Sequence, residues 1–167
     1  SSTVAVERRG ELWAGGVVDP LRNELFTAAR GEGAFLGGTR LAVSEREGLG
    51  ESLMSTQFGR RSIYVNDPEL LQTLLRAPLK TRRLGTIALE LAYVAAGRLD
   101  MVLAGKGVPQ NLYDVAAGIL LVQEAGGRVS DARGRPFGPG SRELVATHGR
   151  AHQEVLDLLV DHVERGD

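Results

Sequence analysis

The chain has 167 residues, with 20 basic and 21 acidic side chains and a formal charge of -1. That length gives room for one domain with a substantial core and excludes two complete ones. A content of 43% hydrophobic and 25% charged residues is that of an ordinary soluble globular protein and points to neither disorder nor a membrane. The charge balance leaves no global field to draw nucleic acid or an anionic membrane. The absence of cysteine rules out disulfides and thiolate metal sites and fits a cytoplasmic protein. The longest apolar runs fall short of the ~20 residues that cross a bilayer, and the first residues do not have the pattern of a signal peptide.

In chain order, Thr3 to Val6 and Leu12 to Val18 are β-like runs around "ERRGE", where Gly10 supplies a turn, so a hairpin is expected. Asp19-Pro20 ends its second strand. Leu25 to Ala29, Ala34 to Leu36 and Thr39 to Val43 extend an antiparallel meander through glycine turns. After Leu49 the pattern changes to strands alternating with helices. A strand is expected over Ser52 to Thr56, helices over Pro68 to Leu75 and Thr86 to Ala96, and a strand over Leu99 to Leu103. Asp114 to Ala125 reads as a helix closed by Gly126 and Gly127. Arg128 to Ser130 and Leu144 to Ala146 read as strands around "RGRPFGPG", and His152 to Val163 as an amphipathic helix. The whole is α/β, or α+β in overall layout: antiparallel strands over residues 1–47, then an α/β layer with a partly parallel sheet over residues 48–167.

Asp114 raises the chemical question, because it opens a segment that is apolar nearly all round. Such a helix must lie between two layers, and a carboxylate at its end faces a crevice. Two readings follow: an N-cap, for which Asp is among the best residues, or a metal ligand. Residue type alone favours the cap. Gly85-Thr86 stands at another helix start, where backbone N–H groups can hold an oxyanion or a sugar hydroxyl; the plainer reading has Thr86 as a cap, with Glu90 near the first turn. Glu124 and the double glycine read as a helix end. Lys80, Arg82 and Arg83 form a short basic run that could attract phosphate and otherwise lies on a solvated face. His148 and His152 lack the glutamate of a zinc-protease motif and are expected at the surface. No dinucleotide fingerprint, phosphate-binding loop or nucleophile elbow is present.

"LYDVAAGILLVQEAGG" resembles the second signature of the inositol monophosphatase family, WDxAAxxxxxxEAGG, with Tyr113 in place of Trp. "AGGVVDPLRNELFTAARGEGAFLGGTRLAVS" is similar to the family's central strands, and "RRLGTIALELAYVAAGRLD" to its R-x-x-G-[ST] segment. The matches keep their order from about Ser1 to about Ala146. The resemblance implies the C-terminal part of a layered α-β-α-β-α fold and a magnesium-dependent, lithium-sensitive phosphatase of small phosphorylated alcohols such as inositol or sugar phosphates. It makes Asp114 a metal ligand lying near the substrate hydroxyls, brings the backbone of Gly85 and Thr86 to the substrate, and implies a homodimer. Two departures stand out. The family's substrate-contacting Glu has no counterpart in "MVLAGKGVPQ", where Ala104 lies near its place and Lys106 could suit another phosphate ester. The first signature, DPxDGT, and the Glu before it are absent. The expectation is therefore that this chain alone has negligible activity and is completed by an N-terminal segment or another chain. A rival expectation is a binding or assembly module that kept the fold without the chemistry. Within the family, fructose bisphosphate, histidinol phosphate or a nucleotide phosphate are alternative substrates.

Overall fold

The computed structural model describes residues 1–58, 67–105, 112–138, 140–141 and 143–163. Five strands, β1 (Ser2–Arg8), β2 (Glu11–Asp19), β3 (Glu24–Ala29), β4 (Gly33–Leu36) and β5 (Thr39–Arg40), form an antiparallel sheet in that order. Arg9 and Gly10, both at positive φ (56° and 81°), make the tight turn between β1 and β2. The expected strand through Val43 stops at Arg40. Beyond it the chain leaves the sheet, and Val43 donates its N–H to Ala125 O at 3.1 Å.

The second sheet holds β6 (Leu53–Gln57), β7 (Lys80–Arg82), β8 (Met101–Ala104), β9 (Arg128–Ser130) and β10 (Leu144–Thr147), in the order β7-β6-β8-β10-β9. β7, β6 and β8 are parallel, while β10 is antiparallel to both β8 and β9. The basic run at Lys80 is thus an edge strand. Among the described residues four α-helices complete the architecture: α1 (Pro68–Arg76), α2 (Ile87–Ala95), α3 (Leu112–Glu124) and α4 (His152–Val163). α1 starts sharply because the Asp67 carboxylate accepts the N–H groups of Glu69 (3.1 Å) and Leu70 (3.0 Å), and Pro68 has no N–H to lose.

Patterning sorts these helices into layers. α2 and α3 are apolar nearly all round because they lie between the sheets. One core unites Val17 and Phe26 of the first sheet with Leu91, Val94, Ile119 and Leu121 of the helices and Val102 and Leu144 of the second sheet. α1 and α4 are amphipathic and cover the other face of the second sheet, packing Leu70, Leu74, Val155 and Leu159 against Met54, Met101 and Val145. Each large aliphatic side chain so buried contributes about 1.5–3 kcal/mol. The outer face of the first sheet has no such cover among the described residues: Val4 is 69%, Val6 55% and Leu25 50% exposed.

Glycine sets the layer spacing. A Cβ on Gly118 would lie 2.6 Å from Leu91 Cβ, and one on Gly15 would lie 2.9 Å from Ala117 Cα. Polar ties then cross the layers. The buried Asp19 carboxylate accepts from Tyr93 Oη (3.1 Å), Leu21 N (3.0 Å) and Arg22 Nη1 (2.9 Å), and the Arg22 contact first of all holds its pKa below the usual carboxylate range. Arg98 grips Glu24 with both nitrogens, at 2.6 and 2.7 Å.

The two histidines expected at the surface are buried: His148 is 3% and His152 1% exposed. Each was read from its spacing alone, but β10 leads straight into α4 and carries both into the second core. His152 Nε2 lies 2.9 Å from Ser130 Oγ and Nδ1 lies 3.0 Å from Thr147 Oγ1. Ser130 Oγ donates its only proton to Asp131 O at 2.7 Å. It must therefore accept from His152 Nε2–H, which leaves Nδ1 to accept from Thr147. This network fits a neutral imidazole. Burial, with the nearby Arg128 charge second, pushes the His152 pKa down to about 4 from an ordinary 6.5, and burial lowers that of His148 as well.

Two outcomes follow from this packing. Gly118→Ala should lower stability by about 1–3 kcal/mol despite alanine's better helix propensity, because the added methyl overpacks against Leu91; an unchanged or raised denaturant midpoint would contradict the contact. For His152 the unfolded state takes up the proton first, so stability is complete above about pH 6.5 and declines as pH falls toward 4, by up to about 3 kcal/mol. Denaturant titrations across this range should show a shallower decline for His152→Asn than for the parent.

Candidate metal and substrate site

Chain direction decides where the candidate residues meet. β7 runs parallel to β6 and β8, and α2 begins five residues after β7 ends, so the Gly85-Thr86 turn sits at the C-terminal edge of these strands. α3 follows β8. Its far end is fixed by Gly127, where a Cβ would lie 2.7 Å from Thr147 O, and Thr147 pairs with Met101 at the start of β8. The start of α3 therefore points to the end of β8 at Ala104. The C-terminal ends of both helices flank the same segment. A Cβ on Gly97 would lie 3.4 Å from Ala42 O, and Val43 N–H bonds Ala125 O. With Leu91 against Gly118 midway, α2 and α3 run side by side in the same direction. Both N-termini, and with them Gly85, Thr86 and Asp114, lie at one edge of the second sheet, the usual place for ligands in open α/β sheets.

Gly85 has φ +85°, a left-handed conformation that glycine adopts freely, and nothing lies within 4 Å of where its Cβ would be. Thr86 occupies the N-cap position of α2, but its hydroxyl makes no cap hydrogen bond and instead lies 2.8 Å from Ser1 Oγ. The capping role expected for Thr86 is not realised by its side chain. Glu90, one turn in, ties the residues ahead of the helix instead of its first-turn amides. Its Oε1 accepts from Leu84 N (3.0 Å), Gly85 N (3.0 Å) and Gln57 Nε2 (2.9 Å), and the side chain is fully buried. The amides of the first helical turn have no partner within the helix and carry its positive dipole end, which suits an anion.

α3 begins at Leu112, so Asp114 lies in its first turn rather than at the N-cap, and the plain capping reading is corrected accordingly. The first turn still favours a carboxylate through the dipole. Asp114 is half-buried, between exposed Tyr113 and buried Val115. Among the described residues no three histidines or acids converge to hold a metal ion. Magnesium takes six oxygens in near-octahedral geometry. Asp114, a half-buried carboxylate at a helix start, has the chemistry of one such oxygen ligand. Ala104, near the place of the family's substrate-contacting Glu, is buried at the end of β8 and offers no polar group. Lys106 lies outside the described residues.

A surface cleft of about 630 Å³ runs along α3 between the β1–β2 hairpin and Phe137, lined by Glu7, Glu11, Arg30 and Ile119 among others. It does not include Gly85, Thr86 or Asp114. Two of its acids already have partners: Glu11 pairs at 3.1 Å with Arg30, which also lines the cleft, and Glu124 accepts the N–H groups of Gly31 and Gly33 at 2.9 Å each. The candidate residues lie at the helix N-termini and not in this cleft. Sequence reasoning read Glu124 as a helix end, which it is, and missed that its carboxylate pins the β3–β4 turn across 91 residues of chain. Ser1 and Gln57 escaped notice too. For Glu90 a signal existed: Thr86-x-x-x-Glu90 is one residue longer than a capping box, so the acid reaches past the cap to the residues before it.

Comparison with known proteins bears on the family and the fold. The model of the inositol monophosphatase family matches residues 3–164, and the chain belongs to that family. Among curated relatives, the Nus factor SuhB of Escherichia coli K12 is 42% identical over 166 residues, covering 96% of this chain and 60% of the relative. The fructose-1,6-bisphosphatase/inositol-1-monophosphatase of Thermotoga maritima is 34% identical over 165 residues, covering 98% and 61%. Of solved structures, a Thermotoga maritima IMPase superposes with a TM-score of 0.86 at 33% identity, over 99% of this chain and 62% of that one. The chain spans about three fifths of the length of the relatives it matches.

Proposed function

We propose that this chain forms the C-terminal part of a magnesium-dependent phosphomonoesterase acting on inositol or sugar phosphates, in which Asp114 is a metal ligand that also lies near the substrate hydroxyls. The observation that carries this reading is the convergence of two helix N-termini at one sheet edge, one bearing Asp114 and the other preceded by Gly85-Thr86. Magnesium, when bound, would neutralise phosphate charge and make water a better nucleophile. The chain's own share is to hold and orient. The Asp114 carboxylate supplies an oxygen to the cation, the amides that open α2 supply donors to the ester, and the apolar layer behind them excludes water.

A segment joined ahead of Ser1 would start beside Thr86, given the 2.8 Å contact between the two hydroxyls. It could therefore bring the remaining ligands to this edge. The double name of the Thermotoga relative supports a substrate range that includes sugar bisphosphates, and Ala104 in place of a Glu argues against strict inositol selectivity. The setting would be cytoplasmic and the complete protein a homodimer, as the resemblance implies. A second reading, an assembly module without catalysis, draws support from the relatives named Nus factor SuhB and from the uncovered apolar face at Val4, Val6 and Leu25.

Assays with magnesium and a panel of phosphate esters, on this chain alone and joined to an upstream segment carrying the family's first signature, separate the two. Phosphate release that appears only in the joined protein supports the enzyme, and none in either supports the module. Robust turnover by the chain alone would refute the need for further ligands. In the active protein Asp114→Asn should lower kcat/KM at least about a hundredfold, several kcal/mol of lost charge stabilisation, while changing stability by no more than about 1 kcal/mol.

A further inference from the structure

The buried carboxylate of Glu90 is costly unless it does something a leucine could not, because a polar group taken from water must recover its hydrogen bonds. Its two oxygens are used unequally. Oε1 gathers three donors, from Leu84, Gly85 and Gln57, while Oε2 has no partner among the described residues. The donors belong to two different elements. Gln57 ends β6 and pairs with Ala104 of β8, whereas Leu84 and Gly85 are exposed residues of the turn that leads into α2.

That turn has little else to fix it. Gly85 has no side chain and open space around it, so its backbone would otherwise sample many conformations. We infer that Glu90 is a positioning residue: by tying the Leu84 and Gly85 amides to the end of β6, it holds the Gly85-Thr86 backbone ready for a phosphate ester. Occupying the two amides ahead of the helix also directs a ligand to those of the first turn. The positioning role rests on the phosphatase reading for its ligand, while the tie itself does not.

The test compares the parent chain with Glu90→Gln and Glu90→Met. Glutamine keeps an acceptor oxygen at the same reach, and methionine fills the space without one. Because Leu84 and Gly85 are exposed, their amides exchange with solvent readily once the acceptor is gone. Hydrogen exchange followed by NMR should show protection at these two amides about tenfold lower in the Met variant and within about twofold of the parent in the Gln variant. Inorganic phosphate, titrated calorimetrically, should bind the Met variant at least about fivefold more weakly than the parent, with Gln restoring it.

Unchanged protection in the Met variant, or loss spread evenly over the molecule, overturns the tie. Equal phosphate affinity in all three proteins, none included, overturns the positioning role. Should Glu90→Met fail to fold, Gln57→Leu removes only the third donor. Protection at Leu84 and Gly85 should then fall at least about threefold, and no change overturns the tie. A negative phosphatase panel alongside the expected exchange and phosphate results counts against the enzymatic reading alone.

Discussion

Leu91 meets Gly118 where α2 lies along α3, and a Cβ on residue 118 would come within 2.6 Å of the leucine. The helices can approach this closely only with glycine there, and the rest of the architecture depends on that approach. It makes one thin layer of two helices, so that a single core reaches both sheets, from Phe26 on one side to Val102 on the other. It also sets their N-termini side by side. A wider spacing would separate Asp114 from the Gly85-Thr86 turn, and the two could not act on one ligand as proposed.

Around this packed layer the polar groups act as ties between elements distant in sequence. Asp19 takes the Tyr93 hydroxyl and so joins the first sheet to α2; Glu124 joins α3 to the β3–β4 turn; Glu90 joins α2 to β6. Each is a carboxylate collecting several donors, and charge-assisted bonds of this kind are stronger than neutral ones. They orient what apolar packing, which has no direction, only brings near. At the candidate site that distinction matters, because backbone donors act on a ligand only when they are held in place beforehand.

Much of this was legible in the sequence, and for identifiable reasons. The change from period-two strands to helices after residue 48 placed most elements, and the all-round apolarity of the segment after Asp114 correctly put α3 between layers. The ordered motifs from "AGGVVDP" to "QEAGG" pointed to the inositol monophosphatase family, which the family model and the structural superposition bear out. What the sequence withheld were tertiary matters. His148 and His152 look like surface residues because nothing local reveals that Ser130 and Thr147 wait to satisfy the second of them. Thr86 has the type and place of a cap, yet its hydroxyl turns to Ser1, 85 residues away. Asp114 reads as a cap because a helix start cannot be fixed to within two residues from pattern alone.

The central claim is that Asp114 and the Gly85-Thr86 turn serve one cation-dependent phosphate site. Manganese, a paramagnetic stand-in for magnesium, tests it most directly when added with inorganic phosphate to the isotope-labelled protein and followed by amide line broadening. The account predicts that broadening concentrates at the first turn of α3 around Asp114 and at Gly85 to Ile87, and spares the opposite helix ends at Ala95 to Gly97 and Gln123 to Gly127. Broadening centred on Glu7, Glu11 and the β1–β2 hairpin, with Asp114 and Gly85 unaffected, would contradict it.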